Sequence, residues 1–343
     1  MAVITIVGAG MMGSALAFPA RENGHEVRLV GTHLDREIID VCRATGRHPK
    51  FGKDFPEGVG YYQTEQTASA LEGSTFVICG VSSFGVDWFG SNVLPLVPAG
   101  TPVLSVTKGL MDDEEGGLKN YLQVWAQMCP QACLNAIGGP CTSYELVAHD
   151  QTEVTFCGSD PAVLRMLRDC MKTDYYHISI STDVAGVESA VALKNGYALG
   201  ITLSVGVNQR VFGDDVLHYN SQAALFGQGV REMKKLIAAL GGKEESLAVG
   251  AGDLYVTVYG GRTRMVGILL GRGLTIDEAM KELAGVTLES LVVATRVARA
   301  VRKRAEKGLL KLSDFPLLMH VDDIINHGAE VNIPWEKFTY ERL

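Results

Sequence analysis

At 343 residues the chain is too long for one ordinary core and suits two domains of roughly 100 to 200 residues each. Its 47% hydrophobic and 20% charged residues are a globular composition, with no low-complexity or disordered stretch. A formal net charge of -8 excludes broad electrostatic attraction to nucleic acid or to an anionic membrane, and leaves room only for local binding of a small anion.

The chain opens on a β-rich run, VITIV at 3–7, that leads into VGAGMMG. Gly8, Gly10 and Gly13 stand in G-x-G-x-x-G spacing with Met11 and Met12 among them, and a helical pattern over 11–23 and a second strand, EVRLV at 26–30, follow. In that βαβ setting the glycines permit a tight turn and let a pyrophosphate approach the helix N-terminus, so Gly8, Gly10, Met11, Met12 and Gly13 read as a dinucleotide-binding loop. An NAD-selective site places Asp or Glu at the end of the second strand to hold a ribose hydroxyl. Here Gly31, Thr32 and His33 occupy that place, Asp35 comes late and Arg36 lies beside it, which leaves NAD and NADP both open. The apolar start carries no basic leader, so no signal peptide is expected.

Further strand-like runs follow at 75–81, 102–106, 133–137, 153–157 and 175–180, with helical patterns filling most of the gaps. Near-continuous apolar strands alternating with helices predict a mostly parallel, doubly wound sheet covered on both faces. Lys108, in LSVTKGL just after a strand, falls at the carboxyl edge of that sheet, where ligands of open α/β sheets bind; an exposed loop lysine is the alternative. The seven cysteines are odd in number and show no CxxC spacing, which predicts reduced thiols and a cytoplasmic setting. No metal site is indicated.

After residue 183 the strand signal stops and helical spacing takes over from 184, 218, 275 and 286. The expected organisation is a Rossmann-type dinucleotide-binding domain over 1–183, followed by an all-α substrate-binding and catalytic domain over 184–343. The stretch 189–209 is apolar enough to suggest a membrane span, but Lys194 and Asn195 near its middle favour a buried helix and no membrane insertion. Lys194 is the only charged side chain between Glu188 and Arg210, on an apolar stripe with Val187, Val191, Ala198 and Ile201 or Thr202. Burial lowers a lysine's pKa toward the range useful for proton transfer, whereas a snorkelling side chain would keep it ordinary. GAGDLYVTVYGGRTRMVG at 250–267 holds five glycines, each disfavoured in a helix by about 1 kcal/mol. That composition predicts a non-helical turn, either a structural linker or a loop that holds substrate with its acid and two arginines.

These motifs, with SVTKGL at 105–110, GGPCTSYEL at 138–146, GVESAVALKNGYALGITLSVG at 186–206 and TLESLVVATRVA at 287–298, resemble the soluble NAD(P)-dependent glycerol-3-phosphate dehydrogenases over most of the chain. The resemblance implies reversible hydride transfer between NAD or NADP and a small phosphorylated three-carbon substrate, dihydroxyacetone phosphate or sn-glycerol 3-phosphate. It also implies a cytoplasmic homodimer that supplies glycerophospholipid synthesis and has no nucleic-acid partner. Lys194 then falls on the proton donor and acceptor, with Asn195 beside it; Asp253 and Thr257 fall on its supporting acid and threonine, and Lys108 on the sheet-edge lysine near substrate and cofactor. Arg262 falls on the arginine that meets the substrate phosphate near the cofactor, and Glu289 on an acid near the cofactor. Two departures bear on substrate: Thr263 stands where the family commonly has Asn, and CTSYE where SFARE or similar is usual. They keep open a related dehydrogenase for another phosphorylated polyol or ketose, or for a hydroxy acid. A non-catalytic NAD(P)-sensing module would have little use for Lys108, Lys194, Asp253 and Arg262 together.

Overall fold

The computed structural model describes residues 1–213, 218–284 and 289–340. It forms two compact units, Met1–Lys108 with Asn120–Glu188, and Gly109–Lys119 with Ser189–Leu343.

The first unit is built on an eight-stranded sheet. In chain order the strands are β1 (Val3–Val7), β2 (Glu26–Val30), β3 (Val59–Tyr62), β4 (Phe76–Cys79), β5 (Pro102–Ser105), the short pair β6 (Leu110–Asp112) and β7 (Leu118–Asn120), then β8 (Cys133–Gly138), β9 (Thr152–Gly158) and β10 (Tyr176–Ser181). The sheet runs β10-β9-β8-β5-β4-β1-β2-β3. Every pairing in it is parallel except β8 with β9. Ile4 and Ile6 of β1 and Phe76, Val77 and Ile78 of β4 are fully buried, as strands covered on both faces require. From β1 the chain turns to β2 and β3 on one side, then crosses to β4 and β5 on the other. The sheet's topological switch therefore lies between β1 and β4, the crevice in which such folds bind ligands.

The second unit packs the helices Val184–Phe212, Tyr219–Ala239, Leu247–Tyr259, Gly261–Gly271, Ile276–Glu282, Glu289–Glu306 and Pro316–His327 around Leu193, Tyr197, Leu254, Val266, Val297 and Phe315. Val184–Phe212 is long and apolar enough to cross a membrane, yet 83% of its most apolar window is buried inside the protein. It is a core helix. The unit also takes the hairpin β6-β7, which the sequence reading passed over. Arg296 Nη1 donates to the Leu110 carbonyl at 3.0 Å, Arg299 Nη1 meets Asp112 Oδ2 at 3.0 Å, and Lys303 Nζ donates to the Glu114 carbonyl at 2.6 Å.

One expectation fails outright. Residues 250–267 are not a non-helical turn: they fall in the two helices Leu247–Tyr259 and Gly261–Gly271, broken only where Gly260 is extended and Gly261 takes φ 83°. Two of the glycines, Gly250 and Gly267, are there for close approach. A Cβ at Gly250 would lie 2.7 Å from Ala190 Cβ, and one at Gly267 would lie 1.9 Å from Thr202 Oγ1 and 2.9 Å from the Leu199 carbonyl oxygen. Packing against the helix Val184–Phe212 therefore outweighs the propensity penalty that motivated the prediction.

Candidate active site

In the first unit the glycine loop is shaped by contact with its neighbour strand. Gly8, at φ 111°, donates its N–H to the Val30 carbonyl at 2.8 Å, and a Cβ on it would lie 2.7 Å from the carbonyl carbon of Gly80. A Cβ on Gly13 would lie 2.3 Å from the Gly8 oxygen. By contrast, a Cβ on Gly10, the residue before the helix Met11–Ala15, would make only an ordinary van der Waals contact, with the Gly80 oxygen at 3.8 Å. Gly8 and Gly13 thus seat the loop, while Gly10 is left uncrowded by its neighbours. Gly80, just past β4, completes the seat; sequence reading missed it, because its role depends on a strand that is adjacent only in space.

A cleft of about 230 Å³ joins Gly8 and Gly10 to Thr32, Asp35, Phe84 and Trp88. Asp35, late in sequence, reaches back into the loop: its Oδ2 accepts from the N–H of Ala9 at 3.1 Å, the N–H of Thr32 at 2.9 Å and the hydroxyl of Thr32 at 2.8 Å. Arg36 pairs instead with Glu65. Among the described residues, no lysine or arginine lines this cleft. His33 and Trp88, whose rings stand 5.7 Å apart, add an aromatic rim that no motif announced.

Lys108 is half-buried rather than an exposed loop lysine, and its Nζ donates to the Gly139 carbonyl at 3.1 Å. It borders a hollow of about 20 Å³ with Met12, Cys141 and Tyr176. In the same unit Glu188 is 2% exposed, and one carboxyl oxygen has no hydrogen-bond partner among the described residues. Burial pushes its carboxyl up to about 8, against the opposing pull of the Lys108 charge. The sequence reading used Glu188 only to bound an apolar window; an acid at the head of such a run was the signal.

In the second unit Lys194, Asp253 and Thr257 come together. Asp253 and Thr257 stand four residues apart on the helix Leu247–Tyr259 and so share a face, which is the physical content of the GDLxxT spacing. Lys194 Nζ donates to Asp253 Oδ1 at 2.7 Å and to Thr257 Oγ1 at 2.8 Å. The Thr257 hydroxyl in turn donates to the Asp253 carbonyl at 2.7 Å, so toward Lys194 its oxygen is the acceptor. The Lys194 and Asp253 side chains are 13% and 4% exposed. Lys194 therefore does not snorkel to an exposed surface; it is held in a largely buried ion pair.

The remaining candidates lie around this group in sequence. Asn195 is 8% exposed and Thr263 9%. Arg262 follows the Gly260–Gly261 break, is exposed, and makes no hydrogen bond or ion pair with the described residues. Glu289 is half-buried at the first position of its helix.

Comparison with known proteins bears on the family of the chain. Residues 3–163 match the family model for the NAD-dependent glycerol-3-phosphate dehydrogenase N-terminus, and residues 183–335 the model for its C-terminus. The NADP(+)-dependent glycerol-3-phosphate dehydrogenase of Archaeoglobus fulgidus is 36% identical over 284 residues, covering 82% of this chain and 83% of that one. An NAD(P)+ glycerol-3-phosphate dehydrogenase of Geobacter sp. strain M21 is 32% identical over 289 residues, with 82% of each chain covered. The crystal structure of glycerol-3-phosphate dehydrogenase from Coxiella burnetii superposes with a TM-score of 0.80 at 27% identity, covering 98% of this chain and 97% of that one. A glycine loop at the switch point of a parallel sheet, a lysine-carboxylate pair in a helical unit and these matches show that the chain belongs to the NAD-dependent glycerol-3-phosphate dehydrogenase family of NAD(P)-linked oxidoreductases.

Proposed function

We propose that this chain interconverts dihydroxyacetone phosphate and sn-glycerol 3-phosphate, with residues 1–183 holding NAD(H) or NADP(H) and residues 184–343 holding the substrate. The observation that carries this reading is the buried contact of Lys194 with both Asp253 and Thr257. When bound, the nicotinamide supplies or takes up hydride at the middle carbon of the substrate. As negative charge develops on the carbonyl oxygen, the Lys194 ammonium stabilises it and delivers a proton. Asp253 keeps Lys194 charged and aimed, and Thr257 fixes its direction. Lys108 adds a second cationic group, and Asn195 a polar side chain beside Lys194. The guanidinium of Arg262, uncommitted among the described residues, suits a bidentate grip on the substrate phosphate. Gly8, Gly10, Met11, Met12 and Gly13 serve the cofactor phosphates, and Glu289 the cofactor's surroundings.

We further assign the enzyme to the cytoplasm, as a homodimer that supplies glycerol 3-phosphate for glycerophospholipid synthesis. All seven cysteines are free thiols, in keeping with a reducing compartment, and light scattering tests the dimer. Thr263 in place of the family's Asn sustains the alternative of another phosphorylated polyol or ketose.

Assays with dihydroxyacetone phosphate and with unphosphorylated dihydroxyacetone, each with NADH and NADPH, test the reaction directly. Turnover should require the phosphate; equal rates on both ketones would overturn the reading. Lys194→Ala should lower kcat by about 10²- to 10⁴-fold with cofactor affinity unchanged. Arg262→Ala should act mainly on KM for the phosphorylated substrate, and an unaltered KM would remove Arg262 from the phosphate site.

A further inference from the structure

The helix Tyr219–Ala239 carries Arg231, Lys234 and Lys235 at spacings of three and four residues, which set them on one face. They line a cavity of about 520 Å³ that shares no residue with the site described above. Lys337, from the C-terminal segment, adds a fourth cation, and Asp314 is the one carboxylate among the lining residues. In a chain of net charge -8 this is a concentration of positive charge against the average.

Arg231 is mounted rigidly. Its Nε and Nη2 donate to Gln228 Oε1 at 3.1 and 2.7 Å, and its guanidinium carbon stands 5.2 Å from the centre of the Tyr340 ring. Gln228 is 5% exposed and donates from Nε2 to Glu232 at 2.6 Å. The fully buried Glu232 carboxylate accepts from the N–H groups of Leu317 and Leu318 at 2.8 and 3.0 Å, where the helix Pro316–His327 begins. A surface guanidinium is thus fixed through a buried amide to the unit's interior, and among the described residues its Nη1 makes no hydrogen bond. Lys234 and Lys235 pair with Glu244 and Asp314 at 2.5 and 2.6 Å in half-exposed ion pairs, which are weakly held and free to exchange partners. Among the described residues, Lys337 makes no side-chain hydrogen bond or ion pair. Ala238, Pro316 and Phe338 supply an apolar wall beside these charges.

A pre-set guanidinium edge with several ammonium groups around it matches phosphoryl oxygens, and the apolar wall matches the body that carries them. We propose that this cavity is a second anion site, separate from the reaction centre, for a small molecule bearing a phosphate or diphosphate group.

The test is calorimetric titration of inorganic pyrophosphate into Arg262→Ala protein saturated with NADH, which takes the two other phosphate-binding places out of play. One site should be seen, and its dissociation constant should rise about tenfold in Lys337→Gln and in Arg231→Gln, and also with added salt. Lys337 is exposed, so Lys337→Gln keeps the fold even if Arg231→Gln disturbs Gln228. No binding heat, or binding indifferent to both substitutions, overturns the site. The readout is binding rather than turnover, so the outcome is separable from that of the reaction proposed above.

Discussion

At Glu188 the chain buries a carboxyl whose proton affinity is set first by desolvation and only then eased by Lys108. Its carboxyl stands at about 8 in the folded protein against 4.5 ordinarily, so between those values the native state holds a proton that the unfolded chain releases. Stability therefore falls as pH rises through that window, by up to about 1.4 kcal/mol per pH unit for one proton. Glu232, raised to about 7 mainly by burial, acts in the same direction. Glu188→Gln should flatten the loss of Tm between pH 5 and pH 8 relative to the parent; parallel curves would show that Glu188 is not the buried acid responsible. Removing one member of a buried ion pair strands the other, so Asp253→Ala should cost about 3–5 kcal/mol in chemical denaturation as well as turnover. Lys194 stands out in the sequence because it is a charge where the surrounding apolar pattern calls for none, whereas Asp253, expected in a turn, is singled out only by the family resemblance. Gly80, His33 and Trp88 do not stand out, because their roles exist only once strands distant in sequence lie side by side.

Among the elements, the helices that meet through glycine show where local preference yields to packing. A Cβ at Gly206 would lie 2.1 Å from the Ile268 carbonyl oxygen and one at Gly271 2.2 Å from that of Leu203, so the helices Val184–Phe212 and Gly261–Gly271 touch backbone to backbone. Gly267→Ala should consequently force the pair apart at a cost of about 1–3 kcal/mol, read as a lowered Tm, although alanine is the better helix former. Propensity alone predicts the reverse sign. The same competition explains what the sequence conceals: a glycine that breaks a helix and a glycine that admits a neighbouring helix have one composition. The long apolar strands were readable because burial on both faces leaves a continuous hydrophobic run. β3 is as long as β4 and β5 but half-buried at three of its four residues, so it leaves no continuous apolar run; β6 and β7, three residues each, are too short to show a period, and β6-β7 is bridged by an acidic turn in which Asp113 Oδ1 accepts from the N–H groups of Glu115 and Gly117.

For the whole molecule, cofactor binding should act on one unit more than the other. A ligand at 100 times its dissociation constant adds about 2.7 kcal/mol to stability, and hydrogen exchange with NADH present should slow first around 8–13, 31–35 and 80–88. Protection appearing only in the helical unit would place the cofactor elsewhere. The two-part composition was evident from the change of pattern near residue 183, but the path of the chain was not, because residues 109–119 join the helical unit from within the first. Leu110 is 1% exposed in the core of that unit, and Leu118 packs against it. The polypeptide therefore changes units three times, after Lys108, Lys119 and Glu188. Anyone exchanging nicotinamide domains between relatives must move this hairpin with the helical half. A chimera spliced at a single junction near 183 would graft a foreign hairpin onto the helix Glu289–Glu306, and a fragment ending there would present Leu110 and Leu118 to water as a sticky seam.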